Sequence, residues 1–259
     1  MNRFLNIVLI QSDIIWQKNA ENLINYSKKI NAISEEADLI ILPEMFTTGF
    51  SMKPKDIAES MEGNTIAWMV ETAKKRNAAI AGSAIIEEEG KFYNRFLFVH
   101  PSGEINYYNK RHLFTLAGEE KVYTAGENKI IINYKGWKIC PLVCYDLRFP
   151  VWSRNVDEYD ILLYVANWPK PRISAWDILL SARAIENICY SIGVNRVGVD
   201  AGRLEYNGHS AVYNCLGEQL INALPNREDV VSITIDKTHI TATRIKLNFL
   251  KDKDTFKIL

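Results

Sequence analysis

The sequence predicts a layered α/β fold with a mixed sheet, and three observations support this prediction. Strand-like and helix-like segments alternate near the start of the chain and again after residue 160. Hairpin signals fill the stretch between them. No repeat and no linker rich in Pro, Gly or Ser divides the 259 residues. Alternation predicts parallel strands covered by helices and hairpins predict antiparallel strands, so we expect one α/β domain spanning residues 1–259.

In the first part of the chain, a β-α-β unit precedes a second helix and strand. Short apolar runs predict strands over residues 4–10 and 39–42, and apolar side chains at helical spacing predict a helix over 21–33. A second amphipathic segment predicts a helix with Asn64 as its N-cap, and a strand over 79–86 follows it. This order is typical of a sheet in which neighbouring strands run parallel.

The middle of the chain predicts antiparallel strands, because the turn sequences EEEGK, HPSGE and YKGW each separate two apolar runs. The strands expected around them cover 92–99, 105–108, 130–133 and 138–142. The alternation then resumes, with a strand over 161–165, a helix over 175–187, a strand over 191–197, a hairpin turn at 216–218 and a strand over 230–235.

Composition and charge exclude several classes of protein. Lys and Arg number 31 and are balanced by 31 Asp and Glu without any basic block, so we expect no nucleic-acid partner and no binding to an anionic membrane. The longest apolar runs, such as 161–166, fall far short of the roughly 20 residues of a membrane span. Four cysteines without a Cys-x-x-Cys pair are too sparse for a disulfide scaffold and indicate a reducing, cytoplasmic location.

Motifs for metals and cofactors are missing from the sequence. The four histidines lie far apart without the spacing of metal ligands. The chain also has no G-x-S-x-G elbow, no phosphate-binding loop, no H-E-x-x-H helix and no dinucleotide-binding G-x-G-x-x-G. We therefore expect neither a metal nor a cofactor.

Three side chains capable of chemistry come directly after apolar strands: Glu44, Lys110 and Cys144. The carboxyl ends of strands are where α/β sheets place their sites. Each residue alone has an ordinary structural explanation, namely a solvated strand end, an exposed turn and a packing thiol. Together they supply a nucleophile, a cation for the thiolate and the oxyanion, and a base that passes the thiol proton to a leaving amine. The combination favours acyl transfer to a cysteine.

The segments around these residues, LPEMFTTGF, YNKRHLF and LVCYDLRFP, resemble in order and spacing the three signature blocks of the nitrilase (carbon–nitrogen hydrolase) superfamily. The resemblance covers essentially the whole chain. It implies a four-layer α-β-β-α sandwich with two mixed sheets, catalytic Glu44, Lys110 and Cys144, and a thioester acyl-enzyme at Cys144. It also implies homo-oligomers, with dimers common.

The resemblance further implies an accessory glutamate shortly before a loop glycine. Glu119 stands seven residues before Gly126 and is favoured over the adjacent Glu120. It would position Lys110 and the attacking water. We also expect the main-chain N–H of Tyr145, the residue after the nucleophile, to hold the oxyanion together with Lys110.

The substrate class follows from the segments near the nucleophile. Nitrilases proper usually carry Trp-Glu after the cysteine, whereas this chain has Tyr145 and Asp146, which disfavours a nitrile. CYDLRFP, RHLF, ANWP and AWDILLSARAIEN together resemble the ω-amidase group, which hydrolyses the terminal amide of 2-oxoglutaramate or 2-oxosuccinamate. The alternative within the same chemistry is an N-carbamoyl amino acid or ureido amidohydrolase. Outside it, a non-catalytic interaction protein would be expected to lack a triad member, and a metal or redox site at Cys140 and Cys144 is disfavoured because the two residues stand in different environments.

A small dicarboxylic monoamide needs a cation to bind its free carboxylate. Arg148 has the guanidinium nearest in sequence to the nucleophile and could engage both carboxylate oxygens, although it could equally be a structural residue that holds Asp146. The region of Asn167 and Trp168 is the second candidate for this role. The aromatic residues expected to form the walls of the pocket are Phe46, Phe114 and Trp168.

Overall fold

The computed structural model describes residues 2–257, which form fourteen strands and five α-helices joined by short loops and 3-10 turns. In chain order the elements are β1 (Phe4–Gln11), α1 (Asn19–Asn31), β2 (Leu39–Ile41), α2 (Asn64–Arg76), β3 (Ala79–Glu88), β4 (Lys91–Val99), β5 (Ile105–Asn109), β6 (Ile132–Tyr134), β7 (Trp137–Val143), α3 (Pro150–Ser153), β8 (Ile161–Ala166), α4 (Ile173–Asn187), β9 (Tyr190–Asn195), β10 (Val197–Val199), β11 (Glu205–Asn207), β12 (Ala211–Tyr213), β13 (Gln219–Asn222), β14 (Asp229–Asp236) and α5 (Lys237–Leu247).

Two six-stranded mixed sheets organise these elements. The first has the order β14-β1-β2-β3-β4-β5 and the second the order β13-β12-β9-β8-β7-β6. Strands β1, β2 and β3 run parallel, as do β7, β8 and β9, whereas the outer strands pair antiparallel. β10 and β11 form a separate two-stranded hairpin. The mixed α/β class predicted from the sequence is confirmed, including the antiparallel middle of the chain.

The alternation of side chains along β1 shows how the layers stack. Leu5, Ile7 and Leu9 share a core with apolar residues of the second sheet. Val8 and Ile10 point to the opposite face and pack with apolar residues of α1 and α2. Successive side chains of a strand point to opposite faces, so one sheet has a neighbouring sheet on one side and helices on the other.

Helix α4 covers the other side of the second sheet. Trp176 and Leu180 of α4 lie so close to Gly193 of β9 that an added Cβ there would come within 2.6 Å and 2.5 Å of them. The two helical layers and the two sheets give the four-layer α-β-β-α sandwich expected from the resemblance. Among residues 2–257, no helix is long and apolar enough to cross a membrane.

Two local predictions need correction. Helix α2 begins at Asn64, so its N-cap is Gly63 rather than Asn64, and the Glu59 carboxylate accepts from the free Thr65 N–H of the first turn at 2.7 Å. The strand predicted over 191–197 ends at Asn195. The Arg196 N–H donates to the Asn195 side chain and is therefore not available to a neighbouring strand.

Candidate active site

The carboxyl ends of strands from both sheets converge at one place. Glu44 follows β2, Lys110 follows β5, and Cys144 follows β7 of the other sheet. β5 pairs antiparallel with β4 and β4 pairs antiparallel with β3, so β5 runs in the same direction as β3 and β2. Lys110 and Glu44 therefore emerge at the same edge of the first sheet, and the structure brings the three predicted residues together.

Lys110 is fully buried between two carboxylates. Its Nζ donates to Glu44 Oε1 at 3.1 Å and to Glu119 Oε1 and Oε2 at 3.0 and 2.9 Å. Asn94 of β4 joins the same two carboxylates, with Nδ2 2.7 Å from Glu44 Oε1 and 3.4 Å from Glu119 Oε1. The role of Asn94 was missed from the sequence, because an asparagine within a strand carries no signal of what it faces across the sheet.

The charges of this cluster determine which group can move a proton. Burial lowers the pKa of the Lys110 ammonium, but Glu119 and Glu44 more than offset this, so the pKa lies above its ordinary value. Burial raises the pKa of the Glu119 carboxyl, and the Lys110 charge only partly opposes it. Lys110 therefore stays protonated at neutral pH and serves as a fixed positive charge rather than as a base.

Of the two candidate accessory glutamates, Glu119 is the one that contacts Lys110. Glu119 is fully buried and also accepts from the Phe114 N–H at 2.5 Å, whereas Glu120 is exposed. Gly126 N donates to Lys110 O at 2.9 Å, and a Cβ on Gly126 would lie 2.0 Å from Asn109 O. This close approach of two backbones requires glycine and fixes the loop that carries Lys110.

Cys144 occupies a strained turn at the end of β7. Its φ of 45° lies in the left-handed region that side chains other than glycine rarely adopt. The buried Asp146 carboxylate supports this turn, because Oδ2 accepts from Val143 N at 3.0 Å and Tyr108 OH at 2.8 Å, and Oδ1 accepts from His112 N at 3.0 Å. The turn lifts Cys144 out of the strand and leaves it partly exposed.

The Cys144 thiol is neutral in the resting site. Burial raises its pKa well above the ordinary value, and the neighbouring Glu44 raises it further. Lys110 acts in the opposite direction without offsetting these effects. A cysteine nucleophile at this position would therefore need a base to take its proton.

Glu44 is held from the second sheet as well as from the first. Asn167, directly after β8, donates its main-chain N–H to Glu44 Oε2 at 2.7 Å and its Nδ2 to the Glu44 main-chain O at 2.6 Å. Together with the bonds from Lys110 and Asn94, these contacts fix the carboxylate beside Cys144.

A cavity of about 520 Å³ opens beside Cys144. Of the residues predicted from the sequence, it is lined by Lys110, Phe114, Cys144, Tyr145, Arg148, Asn167 and Trp168. The exposed Arg148 lies with Cζ 4.8 Å from the centre of the Trp168 ring. Arg172 also lines the cavity, with Cζ 5.2 Å from the Phe114 ring centre. Arg172 was missed, although its place in the ANWPKPR segment shortly after β8 would have been a usable signal.

Two expectations about individual residues fail on geometry. Phe46 does not line the cavity: it packs on Gly82 toward α1 and α2, with its ring 5.5 Å from that of Tyr26 and 6.0 Å from that of Trp68. The backbone reverses at Met45, whose φ is 45°, and this turns Phe46 away from the side of the sheet that Glu44 faces. The contact by which Arg148 would hold Asp146 is likewise not formed, since Asp146 is held by Val143, Tyr108 and His112.

Metal ligands do not cluster in the part of the chain that the structure describes: residues 2–257 contain no group of three or more His, Cys, Asp or Glu side chains placed to hold an ion. Cys140 is fully buried within β7, and burial raises the pKa of its thiol to about 12. It contributes to the core rather than to the cavity.

Comparison with known proteins agrees with this geometry. Residues 8–245 match the family model described as carbon-nitrogen hydrolase. The chain is 42% identical over 255 residues to an omega-amidase, YafV, of Escherichia coli (strain K12), covering 98% of both chains. It is 34% identical over 235 residues to a 2-oxoglutaramate amidase of Bacillus subtilis (strain 168), covering 89% of this chain and 90% of the relative.

A solved structure is similar over the full length. A CN-hydrolase superfamily protein of Xanthomonas campestris, which carries an arsenic adduct in its active site, superposes with a TM-score of 0.97 at 42% identity and covers 100% of both chains. The family model, the relatives and the fold thus agree. The chain belongs to the carbon–nitrogen hydrolase family and is a hydrolase of carbon–nitrogen bonds in amides.

Proposed function

We propose that the protein is an ω-amidase, which cleaves the terminal amide of a short dicarboxylic acid monoamide of the 2-oxoglutaramate or 2-oxosuccinamate type. The observation that carries the proposal is a cavity lined by Lys110, Cys144 and two arginines, with Glu44 hydrogen-bonded to Lys110. Glu44, Lys110 and Cys144 supply acyl-transfer chemistry, and the arginines supply sites for a carboxylate. The names of the relatives from Escherichia coli and Bacillus subtilis support this substrate class.

Acylation begins when Glu44 takes the proton of the Cys144 thiol as the sulfur attacks the amide carbonyl carbon. A C–S bond forms, and negative charge develops on the carbonyl oxygen. The Lys110 ammonium and the Tyr145 N–H stabilise that oxyanion; the Tyr145 N–H belongs to the first turn of a 3-10 segment, where main-chain donors have no partner within the turn. Glu44 then passes its proton to the amide nitrogen, the C–N bond breaks, and ammonia leaves.

Deacylation repeats the same proton transfers with water. Glu44 takes a proton from a water molecule as its oxygen attacks the thioester carbonyl, the C–S bond breaks, and the cysteine sulfur regains a proton. Glu119 remains bonded to Lys110 through both of its oxygens and keeps the ammonium in place during both steps. The products are the dicarboxylic acid and ammonia.

The substrate carboxylate binds to Arg148, with Arg172 as a second cation on the same cavity. The hydrogen-bond donors of the competing region around Asn167 and Trp168 are already used, because Asn167 donates to Glu44 and the Trp168 N–H donates to Asn195 Oδ1 at 2.7 Å. Each arginine lies near an aromatic ring that lines the cavity, Trp168 for Arg148 and Phe114 for Arg172. A guanidinium over a ring face keeps the N–H donors at its edge free for a planar carboxylate.

The decisive experiment measures ammonia release from 2-oxoglutaramate, 2-oxosuccinamate, several N-carbamoyl amino acids and simple nitriles. We expect the two ω-amides to have the highest kcat/KM of the panel and the nitriles to give no turnover. Higher kcat/KM for the N-carbamoyl amino acids would instead assign the protein as a carbamoyl or ureido amidohydrolase that uses the same triad.

Replacing Arg148 by alanine should raise KM for 2-oxosuccinamate about 10- to 100-fold, the value of one charged hydrogen-bonded contact. KM for a neutral amide of similar size should change little. Lys170→Ala is the matched control, because it removes a neighbouring exposed positive charge that pairs with Glu205 and does not line the cavity. Equal losses on both substrates in Arg148→Ala, with a lower melting temperature, would assign Arg148 a structural role.

The same proposal includes one domain over residues 1–259, a cytoplasmic location and a homodimer. Side chains of both sheets share one continuous core, which supports a single domain. The four cysteines are free, as in reduced proteins. On α4, Ile178 and Ile185 are exposed by 68% and 52%, which supports self-association through that face.

A further inference from the structure

The side-chain amide of Asn167 has a nitrogen that is hydrogen-bonded and an oxygen that is not. The residue is 6% exposed and lines the cavity. Its Nδ2 lies 2.6 Å from the Glu44 main-chain O and 3.5 Å from Glu44 Oε2. Its Oδ1 is buried and has no hydrogen-bond partner among residues 2–257. The unused acceptor thus belongs to a side chain that contacts the general base and borders the substrate cavity.

The orientation of this side chain is fixed by its partners. An amide nitrogen donates and an amide oxygen only accepts, so turning the group over would place Oδ1 against two oxygens of Glu44. Oδ1 therefore points away from Glu44. A buried acceptor without a donor is unfavourable, and native proteins retain such atoms where a ligand or water supplies the missing hydrogen bond.

We infer that Asn167 Oδ1 accepts a hydrogen bond from the N–H2 group of the scissile amide and so makes the site selective for amides over esters and nitriles. The inference rests on the proposed function in taking Cys144 as nucleophile and Glu44 as proton carrier. Glu44 must reach the leaving nitrogen to protonate it, and Asn167 contacts Glu44 through Nδ2. The nitrogen that receives the proton from Glu44 would then lie at the free end of the Asn167 amide.

Only some leaving groups can use this acceptor. A primary amide nitrogen carries two hydrogens, and the departing ammonia retains them, so the bond persists through the tetrahedral intermediate. The alkoxy oxygen of an ester and the nitrogen of a nitrile carry no hydrogen and would leave Oδ1 without a donor. A site with an unpaired buried polar atom rejects the analogue that cannot pair with it.

The test compares the ω-amide and the ω-methyl ester of the same dicarboxylic acid. Both give the same acyl-enzyme, so the ratio of their kcat/KM values reports on the acylation step alone. Asn167→Ala should lower the amide-to-ester ratio about 3- to 10-fold, the value of one neutral hydrogen bond. Asn94→Ala is the matched control, since it also removes a donor to Glu44 and Asn94 does not line the cavity. It should slow both substrates while its ratio stays within about twofold of wild type.

An unchanged ratio in Asn167→Ala, or an equal fall in both variants, would overturn the inference. Should Asn167→Ala fail to fold, the wild-type enzyme provides the second measurement. Its amide-to-ester ratio should exceed the ratio for hydroxide-catalysed hydrolysis of the same two substrates. An equal ratio would also overturn the inference. Turnover of other primary amides without any of the dicarboxylic monoamides would refute the proposed substrate, and the ratio would then be measured on those amides. Ester hydrolysis without cleavage of any primary amide would contradict both the proposed function and the role of Asn167.

Discussion

Replacing Cys144 by alanine should reduce turnover of every amide substrate to below detection while the protein remains folded. In the proposed mechanism the sulfur forms the bond to the substrate carbonyl, and Cys144 is the only cysteine among the described residues that line the cavity. Cys144 is partly exposed at the end of β7, so losing one sulfur atom leaves the core intact. Steady-state ammonia release and a melting curve measured on the same preparation check both parts of the prediction.

Cys140→Ala provides the matched control because it removes a sulfur from the same strand. Cys140 is fully buried among core residues, and the high pKa of its thiol leaves it uncharged. This variant should lose some stability, as small core truncations do, and keep most of its activity. An active Cys144→Ala together with an inactive Cys140→Ala would reverse the assignment of the nucleophile.

The positions of Glu44, Lys110 and Cys144 could be predicted because their signal is local. Each follows an apolar run, and a strand end at the carboxyl edge of an α/β sheet is readable from the run itself. The partners of these residues could not be predicted in this way. Asn94 reaches Glu44 across 50 positions of sequence and Asn167 reaches it across 123, and only the packing of two sheets brings them together.

The missed helix α5 shows a second limit of the sequence. It spans Lys237–Leu247 and is rich in threonine and isoleucine. These β-branched residues have low helix propensity and favour strands. The helix forms because Asp236 caps it, accepting from the Thr238 N–H at 2.9 Å, and because Ile240 is buried in the core. Tertiary packing overrides local propensity here.

Phe46 illustrates why a wall residue is harder to predict than a nucleophile. It stands only two residues from Glu44, and this proximity in sequence favoured a place for its side chain in the wall of the cavity. A left-handed residue at Met45 reverses the side of the sheet on which the next side chain falls, and neither composition nor periodicity indicates such a φ.

The second large effect is expected for Glu44→Gln, which should lower kcat/KM for the ω-amide by about 10² to 10⁴. Glutamine matches the shape of glutamate but cannot take the thiol proton or deliver it to the leaving nitrogen. Glu120→Gln makes the same chemical change at an exposed position and should leave kcat/KM unchanged. A Glu44→Gln enzyme within a few-fold of wild type would remove Glu44 from the mechanism.

The ionisation of Cys144 separates loss of a base from general damage to the site. The Glu44 charge raises the pKa of the Cys144 thiol, so removing that charge must lower this pKa. More of the sulfur is then thiolate at any given pH, and a small neutral thiol reagent such as methyl methanethiosulfonate should modify Cys144 faster in Glu44→Gln than in wild type. Amide turnover should fall at the same time, because the thiolate is present but the leaving nitrogen receives no proton. A fall in both rates would indicate a displaced cysteine instead.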